Sequence, residues 1–164
     1  MILMQYNLDN LAGYTVSSVP EGYDAFLLDN FAQDLPKNGL SKDILYIVSD
    51  GSALARTADL LEYLNPELRV LRFPAWDTVP YDRVSPNVNI TAARIDTLSE
   101  LALNPNPKKP RVIITSVGAV LQKLPPRSVF LNSSREVAVG NRLDFNDFTH
   151  YAAVNGYTRV EQVI

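Results

Sequence analysis

The run DGSA, residues 50–53, follows an apolar stretch and puts Ser52 where a nucleophile elbow would raise a hydroxyl above a strand end. A serine nucleophile needs a base, and the sequence holds a single histidine, His150. That residue lies in a helical pattern beside Phe148 and Tyr151, a setting for packing rather than for proton transfer. The glycines that flank an elbow serine are also missing, so Ser52 reads as a helix-start residue. Cysteine is absent, and thiolate metal sites with it. Asp77 and Asp82 lie five apart on an irregular stretch and form no convergent ligand set. Phosphate cradles need closely spaced glycines, whose backbone N–H groups approach the ligand. The nearest two of the seven glycines are nine residues apart, so neither GxGxxG nor GxxxxGK occurs. The first 36 residues contain no lysine or arginine, and the turn SSVPEGYDA (17–25) carries Glu21 and Asp24, which repel an anion. No catalytic residue, cofactor or metal is expected in this chain.

The elements that would position any site follow from the apolar pattern. GYTVSSV (13–19) reads as a weak strand. Residues 20–35 read as a helix from Pro20, with Phe26, Leu27, Asn30, Phe31 and Leu35 on one face. DILYIVS (43–49) is continuously apolar, the mark of a strand buried on both faces. Ser49 or Asp50 caps the next helix, whose Leu54, Ala58 and Leu61 share a face. RVLRFP (69–74) is a strand ended by Pro74. NITAARIDTLSELAL (89–103) is a helix capped by Asn87 or Asn89. RVIITS (111–116) is another strand, and VGAVLQKL (117–124) a short helix. Alternating strands and helices with buried strands predict an α/β fold, a parallel sheet with flanking helices. After Pro126 the pattern changes. REVAVG (135–140) and YTRVEQVI (157–164) read as strands around a helix over 143–156, ended by Gly156. We divide the chain into residues 1–126 and 127–164, the latter the start of a small second α/β domain. The last strand breaks off without a return turn, so the chain reads as part of something longer.

With 46% apolar and 20% charged residues, the composition is that of a globular protein. No apolar run is long enough to span a membrane and no signal peptide is visible, so a cytoplasmic location is expected. Net charge is −3, but residues 101–164 alone carry +4. An acidic chain is a poor nucleic-acid binder on its own. Its basic end suits an acidic partner.

Between the third strand and the next helix lies FPAWDTVPYDRVSPN, residues 73–87. Pro74, Pro80 and Pro86 stiffen it, and Trp76 is the only tryptophan. Trp76 and Tyr81 are expected to pack onto the 89–103 helix or the sheet edge. Asp82 and Arg83 read as a surface pair contributing about 0–1 kcal/mol. Arg94 reads as a helix-surface cation rather than a phosphate contact.

The stretch from Pro74 to Leu98 resembles the signature of the transcription-repair coupling factor family. The matching residues are Pro74, Trp76, Asp77, Pro80, Tyr81, Asp82, Ser85, Pro86, Arg94 and Leu98. ITSVGAVLQKLPP (114–126) and LDFNDFTHYAAVNGYTRVEQV (143–163) resemble further family segments in order and spacing, with Phe148 where leucine is more usual. The resemblance implies a degenerate, helicase-like (P-loop-like) first domain, similar to the repair protein UvrB but without its working P-loop. It implies a non-catalytic module that recruits the repair ATPase UvrA through the second domain. ATP, magnesium, DNA and RNA polymerase would then belong to other parts of a full-length translocase. Arg159, with Thr158 beside it, is the expected partner-binding site, and the remaining signature residues are expected to be structural. Strand alternation would turn Arg159 outward and Val160 inward. Two other readings compete: a helicase-type domain active in nucleotide binding, and an unrelated flavodoxin-like domain with a small-molecule site at its strand ends.

Overall fold

Three parallel strands carry the molecule: β1 (Asp43–Val48), β2 (Arg69–Phe73) and β3 (Arg111–Ser116), in spatial order β1-β3-β2. The structure, a computed structural model, describes residues 15–35, 43–78, 83, 85–135 and 137–160. Parallel neighbours need crossovers, and these are helical. Helix α1 (Tyr23–Asp34) precedes β1, α2 (Gly51–Leu64) links β1 to β2, and α3 (Val88–Leu103) links β2 to β3. Beyond β3 come α4 (Val117–Val120), α5 (Arg127–Ser133) and α6 (Phe145–Val154). The α/β class and the parallel sheet are as the alternating pattern predicted.

Every residue of β3 is buried, because it is central and covered on both faces. Val112 and Ile114 turn to one face, where they pack with Ala25 and Leu28 of α1 and Leu54, Ala58 and Leu61 of α2. Each buried valine, isoleucine or leucine among them contributes about 1.5–3 kcal/mol. Ile113 turns to the other face and joins Leu71, Phe73 and Ala119, with Leu98 and Leu101 of α3 alongside. The α2 face Leu54–Ala58–Leu61 is therefore as expected. The α1 face is not: Ala25, Leu28 and Ala32 are buried, whereas Phe26 is 45% exposed. Small alanines let α1 lie close to α2, which turns its larger aromatics outward. Gly22 opens α1 at φ 84°, and a Cβ there would meet Leu60 Cδ2 at 3.2 Å.

Asp50 caps α2 by accepting from the Ala53 N–H at 2.9 Å. Asn87 caps α3 by accepting from the Asn89 N–H at 2.8 Å. Arg111, inside the core, is held by Asp43 at 2.6 and 3.1 Å and by Glu100 at 3.5 Å. The Asp43 hydrogen bonds raise the guanidinium's pKa against the pull of burial, with Glu100 adding its charge.

Several expected elements are corrected. Residues 15–19 are irregular, with Ser18 at φ 57°, so the described part of the expected 13–19 strand is not one. The described residues of 135–140 and of 157–164 form no strand either. A short apolar run with no ladder beside it gains no hydrogen bonds by extending. The continuous apolar run of β1 predicts burial on both faces, yet Leu45 is 60% and Ile47 46% exposed. The 117–124 helix shrinks to the four residues of α4, and α5 was not foreseen at all.

Candidate functional site

The connector leaves the carboxyl end of β2, the end at which α/β sheets bind ligands, and Arg94 of α3 holds it there. Arg94 was expected on the helix surface; the structure corrects this, leaving it 2% exposed. Two turns into α3, its side chain reaches under the connector. Its guanidinium carbon lies 4.2 Å from the Phe73 ring centroid and 4.4 Å from that of Trp76. Planar, weakly hydrated guanidinium suits such a sandwich. Its Nη1 donates to the Pro74 carbonyl at 2.6 Å and to Gln122 Oε1 at 3.0 Å. Gln122 Oε1 also accepts from the Trp76 N–H at 3.3 Å. Burial lowers the Arg94 pKa. Its Nε is buried without an acceptor, and among the described residues no carboxylate pairs with it.

Asp77 fastens the far end, accepting from the Asn87 N–H at 3.2 and 3.3 Å. A chemically plausible acid is thereby committed to a backbone contact. Ser85 is exposed and Pro86 half-buried beside the α3 cap. Pro80, Tyr81 and Asp82 lie outside the described residues. Of the signature, Trp76, Asp77, Pro74 and Arg94 thus come together, and Gln122 joins them unforeseen. Its signal was weak: a polar residue in the otherwise apolar VGAVLQKL.

At the start of α1, Asp24 Oδ2 accepts from Tyr46 Oη at 3.0 Å and Thr57 Oγ1 at 2.9 Å. Burial, reinforced by Asp24, pushes the Tyr46 phenol up to about 12. Among the described residues no cluster of His, Cys, Asp and Glu could hold a metal ion, and no helix is long and apolar enough to cross a membrane. A cleft of about 410 Å³ lined by Asn65, Glu67, Leu68, Lys109 and Pro110 opens at the amino ends of β2 and β3. That is the opposite end from the one the flavodoxin-like reading needs.

Thr158 and Arg159 follow α6, which Asp144 caps by accepting from the Asn146 and Asp147 N–H groups. Gly156, at φ 85°, donates to the Ala153 carbonyl, and the Tyr157 N–H to that of Ala152, a Schellman end. Both residues are exposed on irregular backbone. Val160 is 59% exposed, so it does not turn inward as strand alternation suggested.

No protein-family model matches the sequence. Curated proteins do match. The chain is 32% identical over 134 residues to a transcription-repair-coupling factor of Rickettsia bellii, which covers 82% of this chain and 11% of that protein. It is 25% identical over 150 residues to the one of Haemophilus influenzae, with 91% and 12% covered. The Escherichia coli protein gives 27% over 122 residues, with 74% and 10% covered. This chain is a relative of the transcription-repair-coupling factors. It spans about a tenth of the length of the transcription-repair-coupling factors it matches. The fastened connector is therefore a feature of a chain related to one part of these proteins.

Proposed function

We propose that this chain is a non-catalytic recruitment module of a transcription-coupled DNA repair factor, one that brings UvrA to stalled RNA polymerase. The observation that carries the reading is the match to transcription-repair-coupling factors across most of this chain. In this reading residues 1–126 are a degenerate helicase-like scaffold and residues 127–164 belong to the partner-binding domain. Two features support the non-catalytic part. The α1 turn offers Asp24 and Glu21 where a triphosphate would need an ammonium group and clustered N–H donors. Asp77, on the connector, is spent on closing a loop.

Arg159 and Thr158 are the proposed contact to UvrA. Their support is exposure on a segment given a fixed exit by the Gly156 helix end, in the basic part of the chain. The planar fork of Arg159 suits a carboxylate of the partner. ATP, magnesium, DNA and RNA polymerase are assigned to the remainder of such a factor, and the location to the cytoplasm. Interferometry with immobilised UvrA tests the reading. Arg159→Glu should weaken binding by about 2–5 kcal/mol if the pair is desolvated. Unchanged affinity, with the far-ultraviolet circular dichroism intact, removes Arg159 from the contact. No binding by the unsubstituted chain removes the recruitment role from this segment.

A further inference from the structure

Among the described residues two buried side-chain polar atoms lack a hydrogen-bond partner, Arg94 Nε and Thr115 Oγ1. They belong to one corner of the molecule. Thr115 of β3 is the register partner of Phe73 of β2, the residue whose ring lies 4.2 Å from the Arg94 guanidinium carbon. Two residues after Ile113, Thr115 turns to the same sheet face, where Phe73 and Ala119 pack with Ile113. Arg94 is 2% and Thr115 1% exposed, so bulk water does not satisfy either group. Solvent nevertheless stands one strand away, because Ile47, the β1 partner of Thr115, is 46% exposed. The Arg94 charge is uncompensated as well as underbonded. Its Nη1 meets only the neutral oxygens of Pro74 and Gln122. A buried charge without a counter-charge is strongly destabilising, and a buried donor left unmade costs its full desolvation penalty.

We propose that Arg94 Nε and the Thr115 hydroxyl together bind one small monovalent anion of chloride size. Both groups donate, so the ligand that suits them only accepts. A water accepts from one and donates to the other, but it leaves the guanidinium charge uncompensated. A monoanion satisfies both donors and supplies the missing counter-charge at once. Size is set by burial, since groups exposed by 1–2% admit a single small ion and not a phosphate ester or a partner's side chain. The position is at the carboxyl end of β2 and β3, the end at which parallel sheets take ligands. The bound ion would tie α3 and the connector to the central strand, because Arg94 already holds Pro74 and Trp76.

Trp76 makes the test direct, being the only tryptophan and lying 4.4 Å from the Arg94 guanidinium carbon. Sodium bromide is titrated into the 164-residue chain, with sodium sulfate holding the ionic strength constant. A heavy halide held beside Arg94 quenches the Trp76 emission. The quenching should saturate, and sodium chloride should reverse it. In Thr115→Val the half-saturating bromide concentration should rise at least about tenfold, the loss of one hydrogen bond to a charged group. Thr115→Ser keeps the hydroxyl and should keep the affinity. Quenching that grows linearly with bromide, equally in the unsubstituted chain and in Thr115→Val, overturns the proposal. Should the substituted chains lose their far-ultraviolet circular dichroism, crystals of the unsubstituted chain soaked in bromide decide. An anomalous-scattering peak at hydrogen-bonding distance from Arg94 Nε is expected. A site filled by water alone gives no such peak, and overturns the proposal too. Neither readout involves UvrA, so this idea and the recruitment reading fail separately.

Discussion

Arg94 shows how a single residue can bind a connector to a scaffold. Its charge is buried between two rings and two carbonyl-type oxygens, without a carboxylate among the described residues. Lysine keeps the charge but loses the planar stacking and the fork. Arg94→Lys should therefore cost about 2–4 kcal/mol in denaturant melts. Trp76, the only tryptophan, should report the change as red-shifted emission. A cost under about 0.5 kcal/mol with unchanged emission would refute the clamp, since surface substitutions fall in that range. Tyr46 gives a pH prediction. Its phenol is raised to about 12 in the folded chain against 10.0 for the free side chain. Between those values the folded state holds the proton more tightly, so the contribution is full below pH 10 and is lost as pH rises toward 12. Discounted for solvent screening, the loss is about 1–2 kcal/mol. Tyr46→Phe should lack this alkaline loss; parallel melts at pH 9 to about 12 that superimpose for the two proteins would contradict it.

At the level of elements, ends and joints decide the architecture. Gly22 starts α1 in a left-handed conformation with Leu60 close by. Gly22→Ala should cost about 1–2 kcal/mol, from backbone strain and from displacement of Leu60. Thermal melts that match the unsubstituted chain would show that α1 can start elsewhere. Asn87 joins two elements, since its side chain caps α3 and its N–H closes the connector on Asp77. Asn87→Ala should cost about 1 kcal/mol through the lost cap, measured by urea midpoints. The connector's backbone tie to Asp77 should survive it. Arg127 performs a comparable task at the other end of α3, donating to the Ala102 carbonyl at 2.6 and 3.2 Å. This contact anchors α5 on α3, a packing that the pattern change after Pro126 did not suggest.

Across the whole molecule, charge and chemistry diverge between the two ends. The first 36 residues have no cation, and the α1 turn is lined by acids. Calorimetry with ATP and magnesium should show no binding in the micromolar range, because a triphosphate would lose the N–H and ammonium contacts that stabilise it. A micromolar dissociation constant would restore the nucleotide-binding reading. At the opposite end, no described residue from 120 to 160 is buried. Alpha6 is fastened instead by single contacts, such as Tyr151 Oη to the Ser133 carbonyl at 2.5 Å and Arg135 over the Tyr151 ring at 4.9 Å. Such a segment has little core of its own and is expected to exchange its amide hydrogens well before β3.

The sequence by itself determined the parallel α/β pattern and the three strands 43–48, 69–73 and 111–116, the α2 face, a cap at 49–50 and at 87–89, and the Gly156 helix end. Each depends on residues close together in the chain, where period, cap chemistry and left-handed glycine act locally. It also carried the connector's likeness to transcription-repair-coupling factors. Tertiary structure alone decided what needed distant partners. Whether 15–19, 135–140 and 157–160 extend depends on a neighbouring ladder, and none of their described residues has one. Whether Arg94 is a surface cation or a buried clamp depends on Phe73 and Trp76 from one other part of the chain and Gln122 from another converging on it. Which side of β1 is covered depends on where α3 lands, and it lands on β2.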